Sequence, residues 1–349
     1  MIKINILLYK MKDKITDGEP HVDAEPHVEP HAEPHAEPHV EPNAEPKTPI
    51  EHLVFSGGGH NIFVMLGAII YLKQQGYIHF NDIKTIDATS AGSLLAFIFM
   101  MGSSDSDLES YFIERPWDKL FDITPELLFQ AFQEKGLFDI SIFESIVNPI
   151  MKSVDIDRKI TFQQLYEKNG IEFTVYATEL NVLRLMEFSH ISTPNQSIID
   201  AIYKSCAVPP VFKPVIDNDC CYLDGGVLAN YPLNPFIERH LNKGITDNLT
   251  KVFGIKIVYE IANDSSSTIS KKSNMGDYIF SLVKKIVQYR EKDSITLPNE
   301  LLIYGESMSI TSIKSAMYSL EQRKYLFNEG KRYASVYYTY KQKELQCKY

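Results

Sequence analysis

The run from Glu51 to Met101 limits the possible folds more than any other part of the chain. EHLVFS, Glu51–Ser56, is short, apolar and β-prone. Three glycines follow, and then NIFVMLGAIIYLKQQ, Asn61–Gln75, whose apolar spacing predicts a helix stopping at Gly76. The pattern then repeats. IKTIDAT, Ile83–Thr89, is a second β-prone stretch, Ser90 to Ser93 are small, and the apolar run to Met101 is too long to be only a strand. Strand, loop, helix, strand, turn and helix in this order require parallel strands joined by right-handed crossovers. The expected class is therefore α/β with a mainly parallel central sheet.

Both strand-to-helix corners carry reactive potential. Ser90 falls where the second strand turns sharply into its helix, which exposes the hydroxyl at the positive helix end. Ala88, Ala91 and Gly92 are small enough for strand and helix to approach closely. The same Ala-x-Ser-x-Gly pentad also reads as a plain structural turn. Gly57, Gly58 and Gly59 let backbone N–H groups crowd towards an anion, or simply make a flexible turn. They lack the Lys-Ser/Thr of a Walker loop and the Gly-x-Gly-x-x-Gly spacing of a dinucleotide site.

Both corners open at the carboxyl ends of parallel strands, where α/β proteins bind ligands. Acyl transfer needs a serine oxygen, a base, and donors for the tetrahedral oxyanion. The N–H groups of Gly58 and Gly59, with that of Ala91, are the candidate donors. Asp224, in the Asp224-Gly225-Gly226 run after a strand, is the candidate base, although Asp-Gly is also an ordinary hairpin signal. No histidine suits the role better. His52 is inside a strand, His79 and His240 follow helices, His190 lies just beyond a strand, and His60 borders the glycine loop.

The remaining chain reads as follows. Leu108–Val154 is helical, with Pro116 and Pro125 as breaks or helix starts. Ile171–Thr178 is a strand with Arg184–Ser189 as hairpin partner, and Ser197–Ala207 is a short helix. Cys220–Leu223, Val252–Tyr259 and Leu301–Tyr304 are strands. Met275–Lys292 is an amphipathic helix with Tyr278, Ile279, Leu282, Val283, Ile286 and Val287 on one broad face, expected to pack on the sheet, with a position on a membrane surface, lysines towards anionic lipid, as the alternative. Ser315–Lys343 is a long, charged, tyrosine-rich helix.

Ahead of this, Glu19–Lys47 repeats EPH followed by Val or Ala. A proline every fourth residue and no large apolar side chains predict an extended, disordered arm over residues 1–47, with a catalytic domain over 48–349. Within that domain the motif-bearing core is about 51–235 and a helical part about 270–349.

A net charge of −10 argues against broad nucleic-acid binding. Cys206, Cys220, Cys221 and Cys347 have no metal-ligand spacing and are too few for a disulfide framework, which indicates a reducing, intracellular compartment. No apolar run reaches the roughly 18 residues of a spanning helix, and the first residues are too short for a signal-peptide core. Contact with a membrane is expected from the surface only.

Five blocks in order resemble the patatin-like phospholipase family. They are FSGGG at Phe55–Gly59, ATSAGS at Ala88–Ser93, YATELN with EFS at Tyr176–Asn181 and Glu187–Ser189, DAIYKSCAVPPVFKPV at Asp200–Val215, and YLDGGVLANYP at Tyr222–Pro232. The resemblance implies a three-layer α/β/α fold and a lipid acyl hydrolase that uses no metal or cofactor. It makes Ser90 the nucleophile, Asp224 the general base, and Gly57, Gly58 and Gly59 the oxyanion loop. The implied partners are a lipid substrate and a transiently contacted membrane surface. The chain departs from the family pattern twice. His60-Asn61-Ile62 follows the glycines where the family has Arg or Lys and then Gly, and Ala88 replaces the first glycine of the elbow. A non-catalytic lipid- or protein-binding module with the same fold is thus the alternative, as is an acyltransferase or esterase using the same dyad.

Overall fold

The structure, a computed structural model, describes residues 49–240, 249–259, 269–271, 273, 275–290, 295–306 and 308–347. The repeat arm expected over residues 1–47 lies outside them. At the centre is an eight-stranded sheet: β1 (His52–Phe55), β2 (Thr85–Thr89), β3 (Glu172–Glu179), β4 (Arg184–Phe188), β5 (Val215–Asp217), β6 (Cys220–Asp224), β7 (Val252–Val258) and β8 (Asn299–Tyr304). The order is β5-β6-β3-β2-β1-β7-β8, with β4 paired to β3. Strands β3, β2, β1, β7 and β8 are mutually parallel, whereas β4, β5 and β6 run antiparallel to their neighbours. The one strand not expected is β5. It forms a hairpin with β6 through Asn218, whose φ of 52° is a left-handed conformation that asparagine tolerates.

Side chains alternate between the two sheet faces. Leu53 and Phe55 join the main core, while Val54 faces a second cluster with Leu233, Phe236, Val252 and Leu297. On the main face lie α1 (Ile62–Gln74), α2 (Ala91–Met100) and α7 (Ile198–Cys206); on the other lies α9 (Leu233–His240). Three layers result. Between α2 and β3 run α3 (Asp105–Glu114), α4 (Pro125–Glu134), α5 (Ile140–Ser153) and α6 (Phe162–Asn169). The short α8 (Gly226–Ala229) follows β6. Next come α10 (Met275–Arg290), α11 (Ile310–Tyr318) and α12 (Leu320–Gln346).

Helix α1 is apolar almost all round, and both its sides are covered. One faces the sheet and the other faces α12, where the two backbones nearly touch. A Cβ on Gly67 would meet the Phe327 carbonyl oxygen at 2.0 Å, and one on Gly330 would meet that of Val64 at 1.9 Å. On the opposite sheet face Asp87 of β2 is fully buried. Arg239 Nη2 of α9 donates to both its oxygens at 2.7 and 2.6 Å, and the Tyr176 hydroxyl donates to it at 2.7 Å. Burial pushes this carboxyl up to about 6, against the pull of Arg239. The pair ties α9 to β2 three residues before Ser90.

Two expectations need correction. The C-terminal helix is not continuous: Ser319 is extended and its hydroxyl accepts the Gln322 N–H, so it caps α12 and separates it from α11. Helix α10 packs mainly on α8 rather than on the sheet. Its buried side carries Phe280, Lys284 and Val287, which leaves Tyr278, Leu282 and Ile286 of the expected packing face turned outward. Among the described residues, no helix is long and apolar enough to cross a membrane.

Candidate active site

The site is assembled along one strand. β3 pairs with β2 through Glu172–Tyr176 and with β6 through Ala177–Glu179. β4 pairs with β3 across Val175–Glu179 and overlaps both. A strand has only two edges, so β2 and β6 must lie end to end on the same one. Their carboxyl ends meet, Thr89 opposite Tyr176 and Asp224 opposite Ala177. Ser90 and Asp224, 134 residues apart in sequence, are brought together by consecutive positions of β3.

Ser90 has φ 52° and ψ −129°, a conformation that costs a residue with a Cβ about 1–3 kcal/mol. Neighbouring bonds hold it there. Its N–H donates to Ser205 Oγ at 2.8 Å, and Ser205 Oγ donates to the Tyr176 carbonyl at 2.5 Å. The Ser90 carbonyl accepts from Ser93 Oγ at 2.6 Å and from the Ser93 N–H at 2.8 Å. Gly92 supplies the clearance, because a Cβ there would sit 2.5 Å from the Ser56 carbonyl oxygen. Ala88, paired with Phe55, is fully buried without any such turn to make.

Ser90 Oγ donates to Asp224 Oδ2 at 2.6 Å, and the Gly226 N–H donates to Asp224 Oδ1 at 2.7 Å. Burial raises the Asp224 carboxyl to about 6, and these two hydrogen bonds oppose the rise. The Thr178 hydroxyl donates to the Asp224 carbonyl at 3.0 Å and fixes the end of β6.

The glycine loop lies opposite. Gly58 and Gly59 line the same pocket as Ser90 and Asp224. Gly57 belongs to the loop, but its N–H is committed to the Asn230 carbonyl at 2.8 Å, so it is not a donor for a substrate. Its lack of a Cβ matters instead, since one would lie 2.5 Å from Asn230 Oδ1. Asn61 is a clip: Nδ2 donates to the carbonyls of Gly58 and Glu306 at 3.0 and 3.2 Å, and Oδ1 accepts the Glu306 N–H at 3.0 Å. It therefore ties the loop to the chain just beyond β8. His60 is buried in the pocket lining, with Nε2 3.3 Å from the Glu306 carboxylate. Asn61 was read from sequence only as part of a departure from the family pattern, and Ser205 only as a member of DAIYKSCAVPPVFKPV.

Above the Ser90–Asp224 pair the pocket is almost wholly apolar. The α3–α5 region supplies Phe112, Trp117, Phe121 and Phe143, Val211 and Phe212 follow α7, and α10 adds Val283 and Val287. The insertion between β2 and β3 thus builds the wall of the site. Among the described residues no three His, Cys, Asp or Glu side chains cluster as metal ligands.

The chain is similar to several known proteins. An uncharacterised protein of Acanthamoeba polyphaga mimivirus is 28% identical over 288 residues, covering 81% of this chain and 92% of that one. A probable lipid hydrolase of Invertebrate iridescent virus 6 is 30% identical over 193 residues, covering 55% of this chain and 64% of that one. Among solved structures, VipD of Legionella pneumophila superposes with a TM-score of 0.43 at 18% identity, over 82% of this chain and 68% of its own. ExoU of Pseudomonas aeruginosa, solved in complex with SpcU, gives 0.43 at 15% identity, over 83% and 53%. The sequence model of the patatin-like phospholipases matches residues 53–237, more than half of the chain, which include the glycine loop, Ser90 and Asp224. The chain belongs to the patatin-like phospholipase family.

Proposed function

We propose that the protein is a phospholipase A-like lipid acyl hydrolase in which Ser90 is the nucleophile and Asp224 the general base. The observation that carries this is the 2.6 Å hydrogen bond from Ser90 Oγ to Asp224 Oδ2 at the floor of an apolar pocket. The pocket accepts an acyl chain and sets its ester carbonyl against Ser90. As Oγ attacks, its proton passes to Asp224, whose raised affinity for a proton brings the carboxylate closer to the basicity this step needs. The N–H groups of Gly58 and Gly59, with that of Ala91, receive the oxyanion, each such donor being worth about 3–4 kcal/mol of barrier. Collapse of the intermediate returns the proton to the departing alcohol or lysolipid. Water, deprotonated by Asp224, then cleaves the acyl-enzyme and Ser90 is regenerated.

Release of fatty acid from defined glycerophospholipids, lysolipids and short-chain esters tests the reading, together with labelling by a fluorophosphonate probe. Ser90→Ala and Asp224→Asn are each expected to lower turnover by at least about 10⁴-fold, and Ser90→Ala to abolish labelling. A folded protein that neither labels nor cleaves any ester refutes the proposal and leaves the binding-module reading. Transfer of the acyl group to an added alcohol, in preference to water, identifies an acyltransferase using the same residues.

A further inference from the structure

Helix α10 has two faces, and the site uses only one. Inward, Val283, Lys284 and Val287 form part of the pocket wall. Outward, Met275, Tyr278, Leu282, Ile286 and Tyr289 are 61, 53, 50, 39 and 73% exposed. At about 100° per residue these five fall within an arc of about 80°, so they form one continuous apolar stripe along four turns. The exposed cations Lys285 and Arg290 flank the stripe on opposite sides, about 60° and 80° from its centre. Asp277, the acidic residue of the helix, falls on the far side, about 140° away. An apolar stripe bordered by Lys and Arg is the pattern of a helix lying in a membrane interface, with its cations at the anionic head groups.

We infer that α10 is the membrane-docking element: its outer stripe inserts into an anionic lipid surface while its inner face walls the catalytic pocket. The occupant is a lipid bilayer rather than a protein because the stripe is backed directly by the pocket and its flanks match anionic lipid in sign. Docking there brings the helix that walls the pocket to the bilayer surface, next to the site that takes the phospholipid chain. The inference rests on the hydrolase reading of the pocket, and the measurements below separate the two.

Flotation of the full Ser90→Ala chain is measured with phosphatidylcholine vesicles, with and without about a quarter phosphatidylserine. The Ser90→Ala chain is expected to float with the anionic vesicles, and adding Tyr278→Glu with Leu282→Glu to weaken partitioning about ten-fold or more. Lys285→Glu with Arg290→Glu is expected to weaken it about ten-fold on anionic vesicles only. In the Ser90 background, Tyr278→Glu/Leu282→Glu should slow hydrolysis of vesicle phospholipid in proportion and leave hydrolysis of a monomeric short-chain ester unchanged. Emission from Trp117, the sole tryptophan, buried in the pocket wall, reports that the variants are folded.

Absence of flotation by the Ser90→Ala chain overturns the inference, as does undiminished flotation of the stripe variant. A stripe variant that loses a concentration-dependent dimer instead of vesicle binding overturns it in favour of a second copy of the chain. If no ester is cleaved but flotation still depends on Leu282, the hydrolase reading fails and the docking inference stands.

Discussion

At the scale of single residues the proposed chemistry rests on a carboxyl group whose burial works against its own ionisation. In the proposed role Asp224 must be a carboxylate to accept the Ser90 proton, yet burial lifts it to about 6. As pH falls through that value the base becomes protonated, so kcat/KM for a soluble ester should decline with an acid limb centred near 6 and a slope of one proton. A limb near the ordinary aspartate value of about 4 would mean that burial does not lift Asp224 in the free enzyme, and loss of the limb in Asp224→Asn would assign it to this residue. Ser90, Asp224 and the glycines were legible because each sits at a corner that only small residues permit. Gly57 illustrates what was not: three adjacent glycines look alike in sequence, and only the Asn230 carbonyl above Gly57 separates a packing position from a donor. Asn61 was hidden differently. It stood out as a departure from the family pattern, but its partner, the backbone of Glu306, is 245 residues away.

At the scale of elements, periodicity located most helices and strands but not what they face. The pattern of α10 was visible as a broad apolar side. Which half of that side meets protein is decided by α8 and the pocket, and no local rule contains either. The break at Ser319 was equally hidden, since one serine in a charged run signals a cap only when the chain direction changes. Its energetic counterpart is Arg323, in the first turn of α12. Its guanidinium is buried and donates to the carbonyls of Ile113, Ala316, Met317 and Arg115 at 2.8–3.2 Å, satisfying the ends of α3 and α11 together. Arg323→Met strands four acceptors while keeping much of the side-chain volume. A loss of about 3–5 kcal/mol in urea unfolding is expected, and a loss below about 1 kcal/mol would mean that water replaces the guanidinium freely.

At the scale of the whole molecule, the two ends of the described chain hold each other. The C-terminal α12 covers the face of α1 that the sheet leaves open, and the contact depends on Gly67 and Gly330. Neither glycine was read from sequence as more than a helix residue, because a backbone-to-backbone crossing becomes visible only once both helices are placed. Gly330→Leu would force a side chain into the Val64 carbonyl. Destabilisation of about 3 kcal/mol or more by thermal unfolding is expected, with lost ester hydrolysis following the lost fold rather than a changed pH profile. The parallel core, by contrast, was legible from Glu51–Met101 alone, because two successive strand-loop-helix units leave few other arrangements.

The meeting of β2 and β6 on one edge of β3 also has a mechanical meaning. Serine and aspartate are gauged by the same strand, so the backbones that carry them shift relative to each other only if a hydrogen-bonded ladder slips. The pocket wall above them is made of helices and loops that share none of those ladders. The wall can therefore shift without disturbing the strand pairing that carries Ser90 and Asp224. The protein thereby separates the compliance needed to admit a lipid chain from the stiffness needed to cleave it.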